Sequence, residues 1–367
     1  KGKFDGFLGT GGWSANRPGF GGFWNEFYNL ESPDSTIFST VNRTHERSSL
    51  PKFIKFGADY QLNPKNVLVT SFYYRMSNGM NTSNTMYADA LGSIDKVFLT
   101  TQRLEDDEEK ATNLSYSIIY KKLFTEKEQG HRLIVDFQYE NKQETQISSF
   151  TENYFDALNT PLENIDYLQL SENEEGNRRL GANVDYIYPF QDGGKFEAGL
   201  QSSFRKIFNN YRVKEIINSI ENPNANFTND FLYEEFIHGL YLNYGKKINK
   251  LSLQTGLRFE YSDVNTELLA NDKTNPRKYG NWFPSAFLTY NVSNNNAFQL
   301  SYSRRIQRPT FTDLNPFFTI RDRRNIFKGN PNIEPEYSDG FELGYVRYFE
   351  KGSMSSIAYF RLTDNVI

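Results

Sequence analysis

Apolar and polar residues alternate along most of this chain in runs of about ten residues, each ending in a turn. Leu251, Leu253, Thr255, Leu257, Phe259 and Tyr261 are interleaved with Ser252, Gln254, Gly256, Arg258 and Glu260. A period of two belongs to the β-strand, so the run predicts a strand with one apolar and one polar face. Phe298, Leu300 and Tyr302 alternate in the same way with Gln299, Ser301, Ser303 and Arg305. So do Phe196, Leu200 and Phe204 with Glu197, Gln201 and Arg205, and Leu133, Val135 and Phe137 with Arg132, Asp136 and Gln138. Further runs at 53–61, 67–76, 112–121, 181–189, 235–244, 282–290, 339–348 and 354–363 predict about twelve strands after residue 50, roughly 12–14 in all.

Connection length alternates as well. Short turns are expected at Asn63 to Asn66, Thr125 to Gly130, Gln191 to Gly194, Gly245 to Lys250, Ser293 to Asn296 and Glu350 to Ser353. Between them lie long polar stretches at about 77–111, 141–180, 207–234, 262–281 and 306–338, which are expected to be outer loops. A meander with all its short turns on one side is the layout of an outer-membrane barrel. Strand length separates this from a soluble sheet, whose strands average five or six residues, whereas a tilted membrane-spanning strand needs about nine to eleven. The polar face also lacks the second apolar layer that a sandwich packs against. The expected fold is therefore all-β, a transmembrane antiparallel up-and-down β-barrel. The strands at 67, 131, 195, 250, 297 and 354 run outward and their partners inward.

Composition sharpens this picture. Only 38% of the 367 residues are hydrophobic and 23% are charged, yet 16% are aromatic, with 32 Phe and 24 Tyr. Few core-formers and many rings suit one apolar skin around a wet interior. Tyr and Phe at strand ends, among them Tyr60, Tyr73, Tyr120, Tyr186, Tyr241, Tyr244 and Tyr290, are expected to form an interfacial belt. The net charge of -4 excludes a nucleic-acid partner, which calls for a basic surface. Cysteine is absent and only three His occur, far apart, so disulfides, thiolate metal sites and Cys nucleophiles are excluded and no cofactor is expected. With no phosphate loop, nucleophile elbow or catalytic carboxylate pair, enzymatic activity is not expected. The run Glu105-Asp106-Asp107-Glu108-Glu109 invites a divalent cation, but consecutive carboxylates lack the alternate spacing of a calcium loop, so a solvated acidic loop is expected. Arg321-Asp322-Arg323-Arg324 is expected to be a solvated loop cluster as well.

The most specific sequence lies in the last third. It runs Ser301-Tyr302-Ser303-Arg304-Arg305-Ile306-Gln307-Arg308-Pro309, then Leu314-Asn315-Pro316-Phe317, Gly329-Asn330-Pro331-Asn332-Ile333-Glu334-Pro335-Glu336 and Phe341-Glu342-Leu343-Gly344-Tyr345. These motifs resemble the barrel of TonB-dependent receptors, in particular the outer-membrane β-barrel family common in Bacteroidetes, with Ile333 where Leu is usual. The resemblance is strongest over about 280–367 and weaker upstream, as at Lys55 to Tyr60. It implies a barrel of about 22 strands in the bacterial outer membrane, filled by an N-terminal plug. Residues 1–367 would then be part of one barrel domain, with the plug and the last strands outside this sequence. It also implies energised uptake of a scarce nutrient, such as an iron chelate, oligosaccharide or peptide. The implied partners are the plug, the TonB-ExbB-ExbD complex, a surface lipoprotein or other outer-membrane subunits, and outer-membrane lipid and lipopolysaccharide. A passive porin and a structural subunit of a larger complex are the alternatives.

Alternation sends Arg258, Glu260 and Arg305 to the lumen, and Arg304, Arg305 and Arg308 stand at the outer end of their strand. These five residues are the candidates for contact with a plug, because a guanidinium grips a carboxylate through paired hydrogen bonds. A barrel-wall ion pair with a neighbouring strand is preferred to a substrate contact. The Gly-Asn-Pro and Glu-Pro-Glu segments are expected to shape the return into the next strand, since Pro fixes its own φ and biases the preceding residue to extended geometry.

Overall fold

The computed structural model describes residues 3–28, 35–124, 130–162, 167–225, 227–269, 273–316, 318–322 and 325–366. Fifteen strands among them form one antiparallel sheet. They are β1 (Phe4–Gly12), β2 (Ala15–Phe27), β3 (Ile37–Asn63), β4 (Asn66–Leu91), β5 (Val97–Leu123), β6 (Arg132–Asp156), β7 (Tyr167–Pro189), β8 (Lys195–Ile217), β9 (Ile220–Pro223), β10 (Asn229–Ile248), β11 (Leu251–Leu268), β12 (Lys273–Ser293), β13 (Asn296–Gln307), β16 (Glu336–Phe349) and β17 (Gly352–Asp364). A one-turn helix α1 (Phe311–Leu314) and the hairpin β14 (Phe318–Asp322) and β15 (Asn325–Lys328) lie between β13 and β16. The two short strands β1 and β2 share β3 as partner and together make one interrupted wall strand. From there each long strand pairs with the next, the up-and-down meander that the alternating pattern predicts.

Register turns the alternation into continuous bands. Phe4, Tyr60, Leu68, Tyr120, Val135, Val184, Leu200, Leu240, Phe259 and Trp282 are successive cross-strand partners, an unbroken apolar row around the outer face. The adjacent lumen-facing row includes Asp136, Asn183, Gln201, Gly239, Glu260 and Asn281. Tight turns close the short end. At the first, Asn63 Oδ1 accepts from the Lys65 backbone N–H at 2.9 Å and from Asn66 Nδ2 at 2.7 Å, the local bonding that suits Asn to turns. Residues 125–129 of another expected short turn lie outside the described residues.

Two expectations change. The long polar connections are not irregular loops, because β3 and β5 are 27 residues each and their hairpins continue far past a membrane-spanning length. At roughly 3.3 Å per residue, such a strand is about 90 Å long. Beyond the lipid there is no apolar exterior to maintain, so the ladder continues through polar sequence. The belt also loses two members. Tyr73 and Tyr241 sit on the lumen side of their strands, where Tyr73 stacks on Phe53 at 6.1 Å and the Tyr241 hydroxyl donates to Asp185. Their neighbours Phe72 and Tyr74, and Leu240 and Leu242, take the lipid face instead.

Above the span the apolar face changes sides. On β11 it is Leu253, Leu257 and Phe259 near the short turn, but Val264 and Leu268, one phase shifted, beyond Ser262. Leu200 and Phe204 on β8 give way to Ile207 and Val213, and Leu240 and Phe236 on β10 give way to Tyr233 and Phe231. Ile207, Phe231, Tyr233, Val264, Leu268 and Leu314 form a buried cluster, with Phe311 and Ile333 against it. Outside the bilayer the exterior must be wet, so apolar side chains gain by turning inward.

Candidate functional site

Three of the candidate residues meet in the lumen. Glu260 on β11 accepts from Arg258 Nε at 2.5 Å and, through its other oxygen, from an Arg308 terminal nitrogen at 2.6 Å. Arg308 also donates to Ser262 Oγ at 2.9 Å, and Arg258 to Gln201 Oε1 at 2.6 Å. Gly239 lies beside Glu260 in the ladder and makes room for this, because a Cβ there would meet the Arg258 guanidinium at 2.5 Å. The cluster ties β8, β11 and the end of β13 together across the wall. Arg304 makes a longer contact of 3.5 Å with its cross-strand partner Asp339, which also accepts from the Tyr302 hydroxyl at 2.8 Å. Arg305 is exposed and has no ion-pair partner among the described residues.

The segment after Arg308 folds onto the buried cluster described above. Thr310 and Asp313 cap α1 reciprocally: the Asp313 N–H donates to Thr310 Oγ1 at 3.3 Å and the Thr310 N–H to Asp313 Oδ2 at 2.8 Å. The Gly329 N–H returns to the Asn315 carbonyl at 2.8 Å, and the Asn330 N–H to the Asp313 carbonyl at 2.7 Å. A Cβ on Gly329 would sit 2.5 Å from the Asn315 carbonyl oxygen, so only glycine allows this approach. From β12, Asn275 donates to the Pro331 carbonyl at 2.6 Å and Arg277 to the carbonyls of Pro331 and Ile333. The Pro- and Asn-rich motif is thus a fastening that holds a wall connection against the lumen side of β10, β11 and β12. Arg323 and Arg324 of the expected basic cluster lie outside the described residues.

Farther out, the acidic run is not a loop. It lies within β5, where alternation turns Glu105, Asp107 and Glu109 inward and Asp106 and Glu108 outward. Consecutive carboxylates on a strand do supply an alternate-residue set on one face. Glu105 pairs with Arg43 at 3.0 Å, Asp107 accepts from Asn81 at 2.7 Å, and nearby Arg103 pairs with Glu152 at 2.8 Å. Burial, with Asp107 nearby, pushes the Glu105 carboxyl above its ordinary range. Glu144 and Glu175 are direct cross-strand partners, and both carboxyls are raised, first by burial. For Glu144 the negative charges of Glu109 and Glu175 add to it. Arg17 and Arg47 are likewise direct partners on β2 and β3. Among the described residues no three His, Asp or Glu side chains gather as metal ligands. The lumen wall offers charge and hydrogen bonds for recognition.

Sequence reasoning brought out Arg258, Glu260 and Arg308 but not the lumen-side cluster or the like-charge pairs. The phase change on β8, β10 and β11 was the available signal for the cluster. The pairs required the register.

Comparison with known proteins agrees with this architecture. The family model described as "Outer membrane protein beta-barrel family" matches residues 122–367. Among solved structures, the chain is similar to the alcaligin outer-membrane receptor FauA from Bordetella pertussis, at 14% identity and a TM-score of 0.51, covering 99% of this chain and 52% of that one. It is also similar to the ferripyoverdine receptor of the Pseudomonas aeruginosa outer membrane, at 12% identity and a TM-score of 0.53, covering 98% and 48%. The chain thus spans about half the length of these receptors, and at such identities the likeness is one of fold. No curated protein matches it.

Proposed function

We propose that this chain, which belongs to the outer membrane protein β-barrel family, forms part of the wall of a plugged, energised receptor that takes up a scarce nutrient across the bacterial outer membrane. The observation that carries this reading is the connection between β13 and β16, which is folded onto an apolar bed on the lumen side and fastened there. A water-filled pore keeps a polar lumen wall, whereas here an apolar bed on that wall is covered by a fastened connection. The fold shared with two outer-membrane receptors supports the same choice. One of those receptors is named for alcaligin and the other was solved with ferripyoverdine bound, so an iron chelate stands among the substrate classes, beside oligosaccharide and peptide.

On this proposal residues 1–367 belong to one barrel domain whose plug and remaining strands lie elsewhere in the protein, and transport rather than catalysis is the activity. The plug and the TonB-ExbB-ExbD complex are the partners, and a surface lipoprotein is a further one. Arg258, Glu260 and Arg308 act as a wall brace facing the plug, while Arg305 is free to reach it. A charge shut away from water by a plug is costly unless paired, which the brace provides.

The test is the full-length protein in planar bilayers, together with growth on a limiting nutrient. A closed trace, with growth that requires both this gene and a working TonB system, is the expected result. Large, steady, ungated conductance would replace the receptor with a passive porin.

A further inference from the structure

Some charged side chains on the outer lumen wall are neutralised by a neighbour, as in Arg43 with Glu105 and Arg103 with Glu152. Two places do the opposite. Arg17 and Arg47 stand directly opposite each other on β2 and β3, and Glu144 and Glu175 directly opposite each other on β6 and β7. Like charges in direct register destabilise a sheet. Among the described residues none of the four has an ion-pair partner, and neither does Glu109, which lies between the two pairs on β5. A sheet that only needed to fold would gain by exchanging one Arg with one Glu.

The two pairs border one continuous depression. A groove of about 540 Å³ on the lumen face is lined by Arg17, Arg47 and Glu109. It continues through Ser77 and Glu109 into a second of about 350 Å³, lined by Glu144 and Glu175 together with Arg75 and with Lys142, which is paired to Glu140. Gly79, between Ser49 and Glu109 in the ladder, leaves the floor low. Asp107, only 7% exposed, lines the first groove with one carboxylate oxygen unbonded. With strands about 4.8 Å apart and residues about 3.3 Å apart along them, Arg47 and Glu109 are on the order of 12 Å apart at the backbone. The Glu144 and Glu175 pair is on the order of 20 Å from Arg47 on the same lattice. An extended peptide advances about 3.4 Å per residue, so roughly four to six residues separate a terminal carboxylate at the first station from a terminal ammonium at the second.

We infer that this groove is a binding site for a short zwitterionic peptide, with its C-terminal carboxylate held by Arg17 and Arg47 and its N-terminal ammonium by Glu109, Glu144 and Glu175. The inference rests on the receptor reading and names its substrate class. Two guanidiniums suit a carboxylate through forked hydrogen bonds, and clustered carboxylates suit an ammonium donor. A ferric chelate of high negative charge would be repelled from the acidic half, and a neutral oligosaccharide would leave both stations uncompensated. The peptide relieves both like-charge repulsions at once.

The test is calorimetric titration of the full-length receptor in detergent with tetra-alanine, N-acetyl-tetra-alanine and tetra-alanine amide. The free peptide is expected to bind saturably and each blocked form at least tenfold more weakly. In R17Q/R47Q the penalty for amidation should vanish while that for acetylation stays, and in E144Q/E175Q the reverse. Unchanged heat-modifiable gel mobility confirms that both variants fold. Equal affinity for all three peptides, or no saturable binding, overturns the inference. If that occurs while growth still depends on TonB and the bilayer trace is closed, the receptor stands without this substrate. If the trace is open, the receptor reading falls with it.

Discussion

At the scale of single residues, the lumen wall holds its charges in two ways. Glu260 shares its two oxygens between Arg258 and Arg308, an arrangement in which every partner is satisfied. Glu144 and Glu175 face each other without an ion pair, and burial raises both carboxyls above their ordinary range, although the Arg205 charge draws Glu175 part of the way back. A carboxyl raised by folding contributes its stability fully below the ordinary carboxylate range and loses it as pH climbs through the raised value. At neutral pH the pair therefore costs stability, and acidification returns it. Glu144→Gln is expected to be more stable than the parent protein at pH 7 by a few tenths of a kcal/mol, the scale of an exposed pair. The difference should shrink as pH falls toward the carboxylate range, where protonation does the same in the parent. Urea midpoints of the two proteins across pH 4 to 8 measure this, and a difference independent of pH would show that the pair does not titrate as described.

At the scale of the strand, the two faces predict opposite tolerances. Leu300 pairs with Leu288 and Leu343 in the lipid-facing band, whereas Ser301 pairs with Phe287 and Glu342 on the lumen side. Leu300→Arg should cost about 2 to 4 kcal/mol near the membrane midplane and Ser301→Arg much less. Folding titrations of both variants into bilayers would reveal a misassigned face as equal costs. This much was legible in the sequence, because period two fixes the face of every residue once one is known. The outer halves of the hairpins were less legible. Polar sequence such as 77–111 carries no contrast between faces, so a paired ribbon and a loop look alike until the ladder is seen. The Glu105 to Glu109 run shows the same limit, since its meaning depends on whether it is extended. In the candidate site, Arg258 and Glu260 could be paired from their spacing alone. Arg308 joins them only because the chain after β13 turns inward, which depends on contacts with β12 distant in sequence.

At the scale of the whole molecule, the turns that close the sheet at its membrane end all lie on one side, and the long hairpins extend from the other. In the outer membrane this orients the wall, with the turns at Asn63 to Asn66 and Gln191 to Gly194 on the periplasmic side. Cysteines placed there should resist a membrane-impermeant thiol reagent in intact cells, while one at Asn159, between β6 and β7, should label readily. Equal labelling would invert the topology. The phase change on β8, β10 and β11 carries a consequence of another kind. Wherever the apolar face crosses from outside to inside, the hydrocarbon ends, so these switch points trace a waterline around the protein. On β11 it falls close to Ser262, and the wall beyond it stands clear of the lipid as a parapet. Its outer end, where the β4–β5 hairpin turns between Leu91 and Val97, is what an antibody or a phage tail fibre arriving from the medium meets first.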